Sequence, residues 1–390
     1  MRINRKITAV SPSLTLEITA LAKKMKQQGQ DVLNFAAGEP DFDTPNYIKQ
    51  AALQAIRSGF TKYTPASGSL ELKQAIARKF ARDNQLNYLP EQIIVSCGAK
   101  HALYNILQVL CQTGDEVIIF SPYWVSYPEM IRLAGARAKI IHTHAKDGFK
   151  PNIKDLALSI TKRTKAIILN SPANPTGCVF SRAQLLQISQ LASKKGLLVI
   201  SDEIYEKIIF DNKRHFSYAG LNRNTYQHTI VVNGLSKAFS MTGWRIGYLA
   251  SVQSNIISGI NKLQSHSTSN PCSISQKAAA CALTKSKTGQ IRKMAKEFEL
   301  KRDIMFQGLN QIPGFKPFNP QGAFYMFCNI AEFGLNSLKF SRRLLQEAKV
   351  AVVPGVAFGR DDYIRLSFAT GAAQIKSGLA RIKDWAAKQD

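Results

Sequence analysis

Four short apolar runs, each followed by polar or small residues, constrain the fold of this 390-residue chain more than any other feature. They cover residues 116–120, 166–169, 197–201 and 230–232 and are rich in Val, Ile and Leu, which is typical of strands buried on both faces. Because stretches with helical spacing alternate with such runs, we expect an α/β fold with a mostly parallel sheet. Ligands of such sheets bind at the carboxyl ends of the strands.

Candidate functional residues follow each of these runs. Trp124 follows the first run, Asn174 the second, Asp202 and Tyr205 the third, and Lys237 the fourth. Taken singly, each has a structural explanation, such as core packing, turn formation, helix capping or a solvated surface charge. Their shared position at strand ends instead favours a common ligand site.

The stretch around Lys237 indicates the kind of ligand. Residues 229–250 read TIVVNGLSKAFSMTGWRIGYLA, a strand, a loop that presents Lys237, and a second strand that we expect Gly243 to open. A lysine amine can bond covalently to a carbonyl cofactor, and the neighbouring Ser236 and Arg245 can bind a phosphate group.

Composition and charge exclude several classes of protein. A hydrophobic content of 45% supports a sizeable core. The net charge of +26 is spread in short clusters without a basic tail or an aromatic platform, so we expect no nucleic-acid partner. No apolar run approaches the roughly 20 residues of a membrane span. Six cysteines without regular spacing predict reduced thiols in a cytoplasmic protein and no metal site.

The chain resembles fold-type I aminotransferases that depend on pyridoxal 5'-phosphate, in the branch of bacterial aspartate aminotransferases. The resemblance spans nearly the full length and rests on AAGEPDFDTP, KYTPASG, SPYWVSYPEM, NSPANPTG, SDEIYE, GLSKAFSMTGWRIGY, GAFY and YIRLSFA, in family order. It implies a large cofactor domain over residues 46–290 and a smaller α+β domain built from residues 1–45 and 291–390. The implied reaction moves the amino group of L-aspartate to 2-oxoglutarate in a ping-pong scheme.

The resemblance also implies how the cofactor is held. Lys237 would bind it covalently and shuttle a proton, and Asp202 would pair with the ring nitrogen. Tyr205 and Asn174 would donate to the ring oxygen, and Trp124 would cover the ring face. The phosphate set would be Gly98, Ala99, Ser236, Arg245 and Tyr63 of the partner subunit, which implies a homodimer with shared active sites.

Substrate recognition follows from the same resemblance. The implied set is Gly38, Trp124, Asn174, Arg365, Lys100 and Thr15. Arg365 would bind the α-carboxylate, and the alternation of residues 363–368 independently predicts a strand that fixes its direction. Lys100 would bind the distal carboxylate, and Thr15 matches a position implicated in relatives that accept prephenate. Ser11 departs from those relatives, some of which have a lysine there.

Alternatives to aspartate transamination remain open from the sequence. One is a bifunctional aspartate and prephenate aminotransferase, and another is an aminotransferase for a different amino acid, such as an aromatic residue or alanine. A lyase or synthase that uses the same cofactor would release ammonia or thiol, and a non-catalytic protein would use the scaffold alone. The response of the bound cofactor to different amino donors would separate these alternatives.

Overall fold

The computed structural model describes residues 3–285 and 288–389. Its α-helices are α1 (Arg5–Thr8), α2 (Leu14–Gln27), α3 (Asn46–Arg57), α4 (Leu70–Asn84), α5 (Ala99–Leu110), α6 (Ser126–Leu133), α7 (Ile153–Ser159), α8 (Arg182–Lys194), α9 (Arg223–Gln227), α10 (Ser254–Ser267), α11 (Ser273–Thr284), α12 (Thr288–Asn310), α13 (Ser337–Ala348) and α14 (Ala372–Ala386). Its strands are β1 (Leu33–Asn34), β2 (Ile93–Ser96), β3 (Glu116–Ser121), β4 (Arg137–His142), β5 (Thr164–Asn170), β6 (Leu198–Asp202), β7 (Thr229–Gly234), β8 (Gly247–Ala250), β9 (Lys316–Phe318), β10 (Tyr325–Asn329), β11 (Val350–Ala351), β12 (Val353–Pro354) and β13 (Tyr363–Ser367).

A seven-stranded sheet in the order β2-β8-β7-β6-β5-β3-β4 forms the centre of the larger part of the chain. Strands β3 to β7 pair in parallel, and β8 is antiparallel to both of its neighbours. The predicted α/β fold with a mostly parallel sheet is therefore confirmed.

Helices cover both faces of this sheet. Along β7, Ile230 and Val232 pack into a core with residues of α5 and α10, whereas Val231 packs into a core with residues of α3, α4 and α11. Because side chains alternate across a strand, these two cores lie on opposite faces. This double burial explains why the strand sequences read as continuous apolar runs.

A second, smaller sheet positions the predicted substrate arginine. It is antiparallel, in the order β12-β13-β10-β9, and Arg365 in β13 lies opposite Phe327 on one side and Val353 on the other. Strand β1 pairs in parallel with β11, which joins the N-terminal segment to the C-terminal part of the chain.

The expected strand opening at Gly243 is wrong. Strand β8 begins at Gly247, and Gly243 to Arg245 lie in a turn. Ser240 and Arg245 have φ angles of 51° and 55°, so the backbone cannot run extended through this segment. The turn directs the Arg245 side chain toward the start of α5 instead of along a sheet.

Over the described residues, no helix combines the length and apolarity needed to cross a membrane.

Candidate active site

A cavity of about 420 Å³ lies at the carboxyl ends of β5, β6 and β7, with β10 and β13 across from them. Twelve of the residues predicted from the sequence line it: Thr15, Gly38, Ala99, Lys100, Trp124, Asn174, Asp202, Tyr205, Ser236, Lys237, Arg245 and Arg365. Its size lies within the usual range for small-molecule sites.

Each of the three strands ends at, or within a few residues of, the side chain that it presents. Asp202 is the last residue of β6, and Lys237 lies three residues beyond the end of β7. Asn174 follows β5, and its backbone N–H donates to Asn170 Oδ1 at 2.8 Å. Because strands β3 to β7 all run in the same direction, these groups meet at the carboxyl ends of the strands.

Lys237 is partly buried beside two aromatic rings. Its Nζ donates to the carbonyl oxygen of Gly38 at 2.6 Å and lies 5.6 Å from the ring centre of Phe324 and 5.8 Å from that of Tyr205. Burial, followed by the positive charge of Arg365, lowers the pKa of Lys237 to about 8. A larger fraction of the amine is therefore neutral and nucleophilic near physiological pH.

Asp202 is a buried carboxylate with two donors. The Tyr127 hydroxyl donates to Oδ2 at 2.6 Å, and the Ile204 N–H donates to Oδ1 at 3.3 Å. Burial raises the pKa of Asp202 to about 6, although both hydrogen bonds act in the opposite direction. A cationic group placed beside this carboxylate would favour its ionised form.

Two tyrosines meet across the cavity. The hydroxyls of Tyr205 and Tyr325 lie 2.8 Å apart, and burial raises the pKa of each. Both phenols therefore remain protonated and can act as donors at neutral pH.

Arg365 is held by hydrogen bonds at two of its three guanidinium nitrogens. Its Nη1 donates to Asn174 Oδ1 at 3.0 Å and its Nη2 to the Ala36 carbonyl at 2.9 Å. The guanidinium stacks 4.2 Å from the ring centre of Tyr325. Its Nε is buried without a partner among the described residues. A buried, unsatisfied, charged donor of this kind indicates an anionic ligand.

The start of α5 forms a tight cradle beside Arg245. Gly98 precedes this helix with a φ of 88°, and a Cβ there would lie 2.6 Å from Arg245 Nη2. A Cβ on Gly247 would lie 2.2 Å from the Ala99 nitrogen. The glycines thus let β8 and Arg245 approach the free N–H groups of a helix N-terminus, which bind anions well.

Of the remaining predicted residues, Lys100 and Thr15 line the cavity, whereas Gly98 and Tyr63 do not. Lys100 Nζ lies 5.0 Å from the ring centre of Trp124, and burial followed by the charge of Arg245 lowers its pKa. Thr15 is at the start of α2, with its Oγ1 buried and unpartnered among the described residues. Gly98 borders Arg245 but does not line the cavity, and Tyr63, which is 89% exposed, lies outside the cavity of its own chain.

Sequence reasoning did not single out Tyr127, Tyr325, Asn170 and Glu39 as site residues. Tyr127 and Tyr325 lie within SPYWVSYPEM and GAFY, so the motifs contained them without indicating their contacts. Asn170 ends β5. Thr242, in the turn before β8, donates to Glu39 Oε2 at 3.0 Å.

The charges of the cavity wall favour an anionic ligand. Its cationic members are Lys100, Lys237, Arg245 and Arg365, and its acidic members are Glu39 and Asp202. A reactive lysine, a helix-terminus cradle and a separate buried arginine together suit a ligand with an aldehyde or ketone, a phosphate and a carboxylate.

These features define a site built on a reactive lysine, and comparison with known proteins gives the class of the protein. The family described as aminotransferase class I and II matches residues 30–382. The chain therefore belongs to this family and is an aminotransferase.

Individual relatives place it more narrowly. It is 47% identical to the aspartate aminotransferase of Bacillus sp. (strain YM-2), over 97% of both chains. It is 41% identical to a probable aspartate/prephenate aminotransferase of Aquifex aeolicus, over 97% of both. A solved structure of the Thermus thermophilus aspartate aminotransferase with maleate superposes with a TM-score of 0.95 at 40% identity, covering 98% of this chain and 100% of that one.

Proposed function

We propose that this protein is a pyridoxal 5'-phosphate-dependent aspartate aminotransferase. It would convert L-aspartate and 2-oxoglutarate to oxaloacetate and L-glutamate in a ping-pong scheme. The single observation that carries the proposal is the convergence of Lys237, Asp202 and Arg365 on one cavity. The aspartate aminotransferase names of several relatives support the choice of substrate.

The residues fit the cofactor. The glycine cradle at the start of α5, with Ser236 and Arg245, suits its phosphate, and the Lys237 amine suits its aldehyde. Asp202 suits its ring nitrogen, because a proton there would offset the cost of a buried carboxylate. When bound, the cofactor supplies a ring that stabilises negative charge at the α-carbon of the amino acid.

The protein groups then divide the remaining tasks. Lys237 would accept the proton from the α-carbon of the amino acid on its Nζ and would later return a proton. Tyr205 and Asn174 would donate to the ring oxygen of the cofactor, and Trp124 would cover the ring and exclude water. The pKa of Lys237, lowered to about 8, suits a group that both accepts and returns a proton.

Substrate binding uses the two ends of the cavity. Arg365 binds the α-carboxylate through its unpartnered Nε and one Nη, helped by Asn174 and the backbone at Gly38. Lys100 binds the distal carboxylate. The maleate named with the Thermus thermophilus structure is also a four-carbon dicarboxylate, like aspartate and oxaloacetate.

The proposal also covers the homodimer, the smaller domain and the cellular location. The exposed Tyr63 would reach the phosphate of the partner subunit's site in a homodimer. Residues 1–45 and 291–390 would form the smaller domain that closes over the substrate. The six cysteines are free thiols, which favours a cytoplasmic location.

The test follows the absorbance of the bound cofactor while amino donors are added to wild-type protein and to Lys100→Ala. L-aspartate should convert the wild-type cofactor spectrum, and 2-oxoglutarate should restore it. Loss of a charge-assisted contact worth about 1.5–3 kcal/mol should lower kcat/KM for L-aspartate by roughly 10- to 100-fold, with little change for L-alanine. Lys339→Ala, an exposed lysine on α13, is the control. Equal losses with both donors would contradict the role of Lys100.

A second candidate is a bifunctional enzyme that also accepts prephenate. The observation that favours it is the buried, unpartnered hydroxyl of Thr15 at the cavity wall, together with the aspartate/prephenate names of several relatives. L-glutamate is first added to convert the cofactor to its amine form. Restoration of the original cofactor spectrum by prephenate would then support this activity. No response to prephenate, with a normal response to oxaloacetate, would exclude it.

A further inference from the structure

Two buried acids flank Tyr205 without entering the active-site cavity. Glu203 is 1% exposed and Glu206 is 8% exposed. Neither lines the cavity, whereas Asp202, Ile204 and Tyr205 do. In this segment, some side chains thus point into the cavity, whereas the two carboxylates are buried away from it. The proposed chemistry does not use these carboxylates.

Glu203 has hydrogen-bond partners on four residues from two parts of the chain. Its Oε1 accepts from Ser201 Oγ at 2.8 Å, from Ser217 Oγ at 2.8 Å and from the Tyr218 N–H at 3.3 Å. Its Oε2 lies 3.0 Å from His215 Nε2. One carboxylate therefore ties the end of β6 to the segment 215–218.

His215 can satisfy this arrangement in only one neutral form. Its side chain is 9% exposed, and its Nδ1 is buried with no partner among the described residues. A proton on Nδ1 would leave a buried donor unpaired, which is unfavourable. The neutral ring with its proton on Nε2 avoids this cost and donates to Glu203.

The same turn is anchored to β7 and α4. The Glu203 N–H donates to the Val232 carbonyl at 2.9 Å, and the Glu206 N–H donates to the Glu203 carbonyl at 3.0 Å. Glu206 forms a buried ion pair with Lys79 and accepts from Asn84 Nδ2 at 2.9 Å. The backbone between Asp202 and Glu206 is thus held from both sides.

A metal site does not explain this cluster. Candidate ligand atoms of Glu203, Glu206 and His215 lie within 4.8 Å of one another. However, the ammonium of Lys79 and the hydroxyls of Ser201 and Ser217 already contact these carboxylates. A cation would have to displace a buried lysine and break a satisfied hydrogen-bond network.

We propose that Glu203 is a positioning residue for the cofactor ring. Fixed by Ser217 and His215, it sets the backbone between Asp202 and Tyr205 and so aims both side chains at the ring. This role rests on the proposed function, because the ring is the target of both side chains. A misplacement of about 1 Å at such groups can cost on the order of 100-fold in rate.

The test is Glu203→Gln in the cofactor-loaded enzyme. The new amide N–H₂ would face His215 Nε2 and drive the ring proton onto the unpartnered Nδ1. We expect kcat to fall about tenfold while KM for L-aspartate stays within about twofold. The pH midpoint of the cofactor absorbance should rise by about half a unit or more, because a displaced Tyr205 donates less well to the ring oxygen.

Control variants separate positioning from general stability. Glu116 is also a buried carboxylate and accepts from Thr161 Oγ1 at 2.7 Å. As the first residue of β3, it lies at the amino-terminal end of the parallel strands, whereas the site lies at their carboxyl ends. Glu116→Gln should lower thermal stability and leave the absorbance midpoint unchanged. His215→Gln, which keeps a donor toward Glu203, should retain the wild-type midpoint, whereas His215→Leu should shift it.

The outcomes are distinguishable. A Glu203→Gln variant with wild-type kcat and midpoint contradicts the positioning role alone. If that variant does not fold, His215→Leu and Ser217→Ala decide by the same midpoint, and wild-type values in both contradict the role. A wild-type protein that shows no cofactor absorbance contradicts the proposed function itself.

Discussion

At the scale of single residues, burial shifts the pKa values of an acid and a base of the site in opposite directions. The pKa of Asp202 is raised to about 6 and the pKa of Lys237 is lowered to about 8, in both cases chiefly because the charged form loses its hydration on burial. Each group thereby costs stability in the cofactor-free protein when it is charged. Such costs are typical of sites that a ligand completes.

Because the buried charge of Asp202 destabilises the folded protein, the variant Asp202→Asn should be more stable than wild type by an amount that depends on pH. Because its folded pKa of about 6 exceeds its ordinary value of 3.8, wild-type stability falls as the pH rises through this window and the full cost applies above it. Urea unfolding of cofactor-free protein should show the variant more stable by up to about 3 kcal/mol at pH 7. The gain should nearly vanish at pH 3.5, and a difference that does not change with pH would contradict the burial cost.

At this scale, the reactive residues can be predicted from the sequence, but the hydrogen bonds that surround them cannot. Lys237, Asp202 and Arg365 could be named because each follows or lies in a recognisable strand. The contact between Tyr127 and Asp202, and that between Tyr205 and Tyr325, could not be named. These contacts join residues 75 and 120 positions apart, so no local pattern reports them.

At the scale of elements, close approach between β8 and α5 shapes the proposed phosphate cradle. Gly247 permits it, because a Cβ there would lie 2.2 Å from the Ala99 nitrogen. Gly247→Ala should therefore push the start of α5 away from Arg245 and weaken retention of the cofactor by at least tenfold, measured by equilibrium dialysis. Gly243→Ala, in the turn that precedes β8 and with open space around its Cβ position, is the matched control. Equal retention in both variants would contradict the cradle.

The elements themselves were predicted unevenly. Strands β3, β5, β6 and β7 were recognisable because burial on both faces gives continuous apolar runs. The start of β8 was placed at Gly243 instead of Gly247, because the positive φ of Arg245 leaves no mark in residue periodicity. The antiparallel direction of β8 between β2 and β7 likewise depends on tertiary pairing, which hydrophobic patterning does not encode.

At the scale of the whole molecule, the exposed Tyr63 predicts complementation between two defective chains. If Tyr63 of the partner subunit completes each site, a mixed dimer of Lys237→Ala and Tyr63→Ala chains has one site with both changes and one with neither. Co-refolding equal amounts should then restore roughly a quarter of wild-type activity at limiting cofactor. Activity no greater than the average of the two parents would contradict a shared site.

The central claim is that Lys237 holds pyridoxal 5'-phosphate, and one measurement tests it most directly. The loaded protein is reduced with borohydride, which fixes the cofactor to its lysine, and is then digested and analysed by mass spectrometry. We predict a single modified peptide that contains Lys237 and loses the modification in Lys237→Ala. Modification of another lysine, or of none in a protein that transfers amino groups, would contradict the claim.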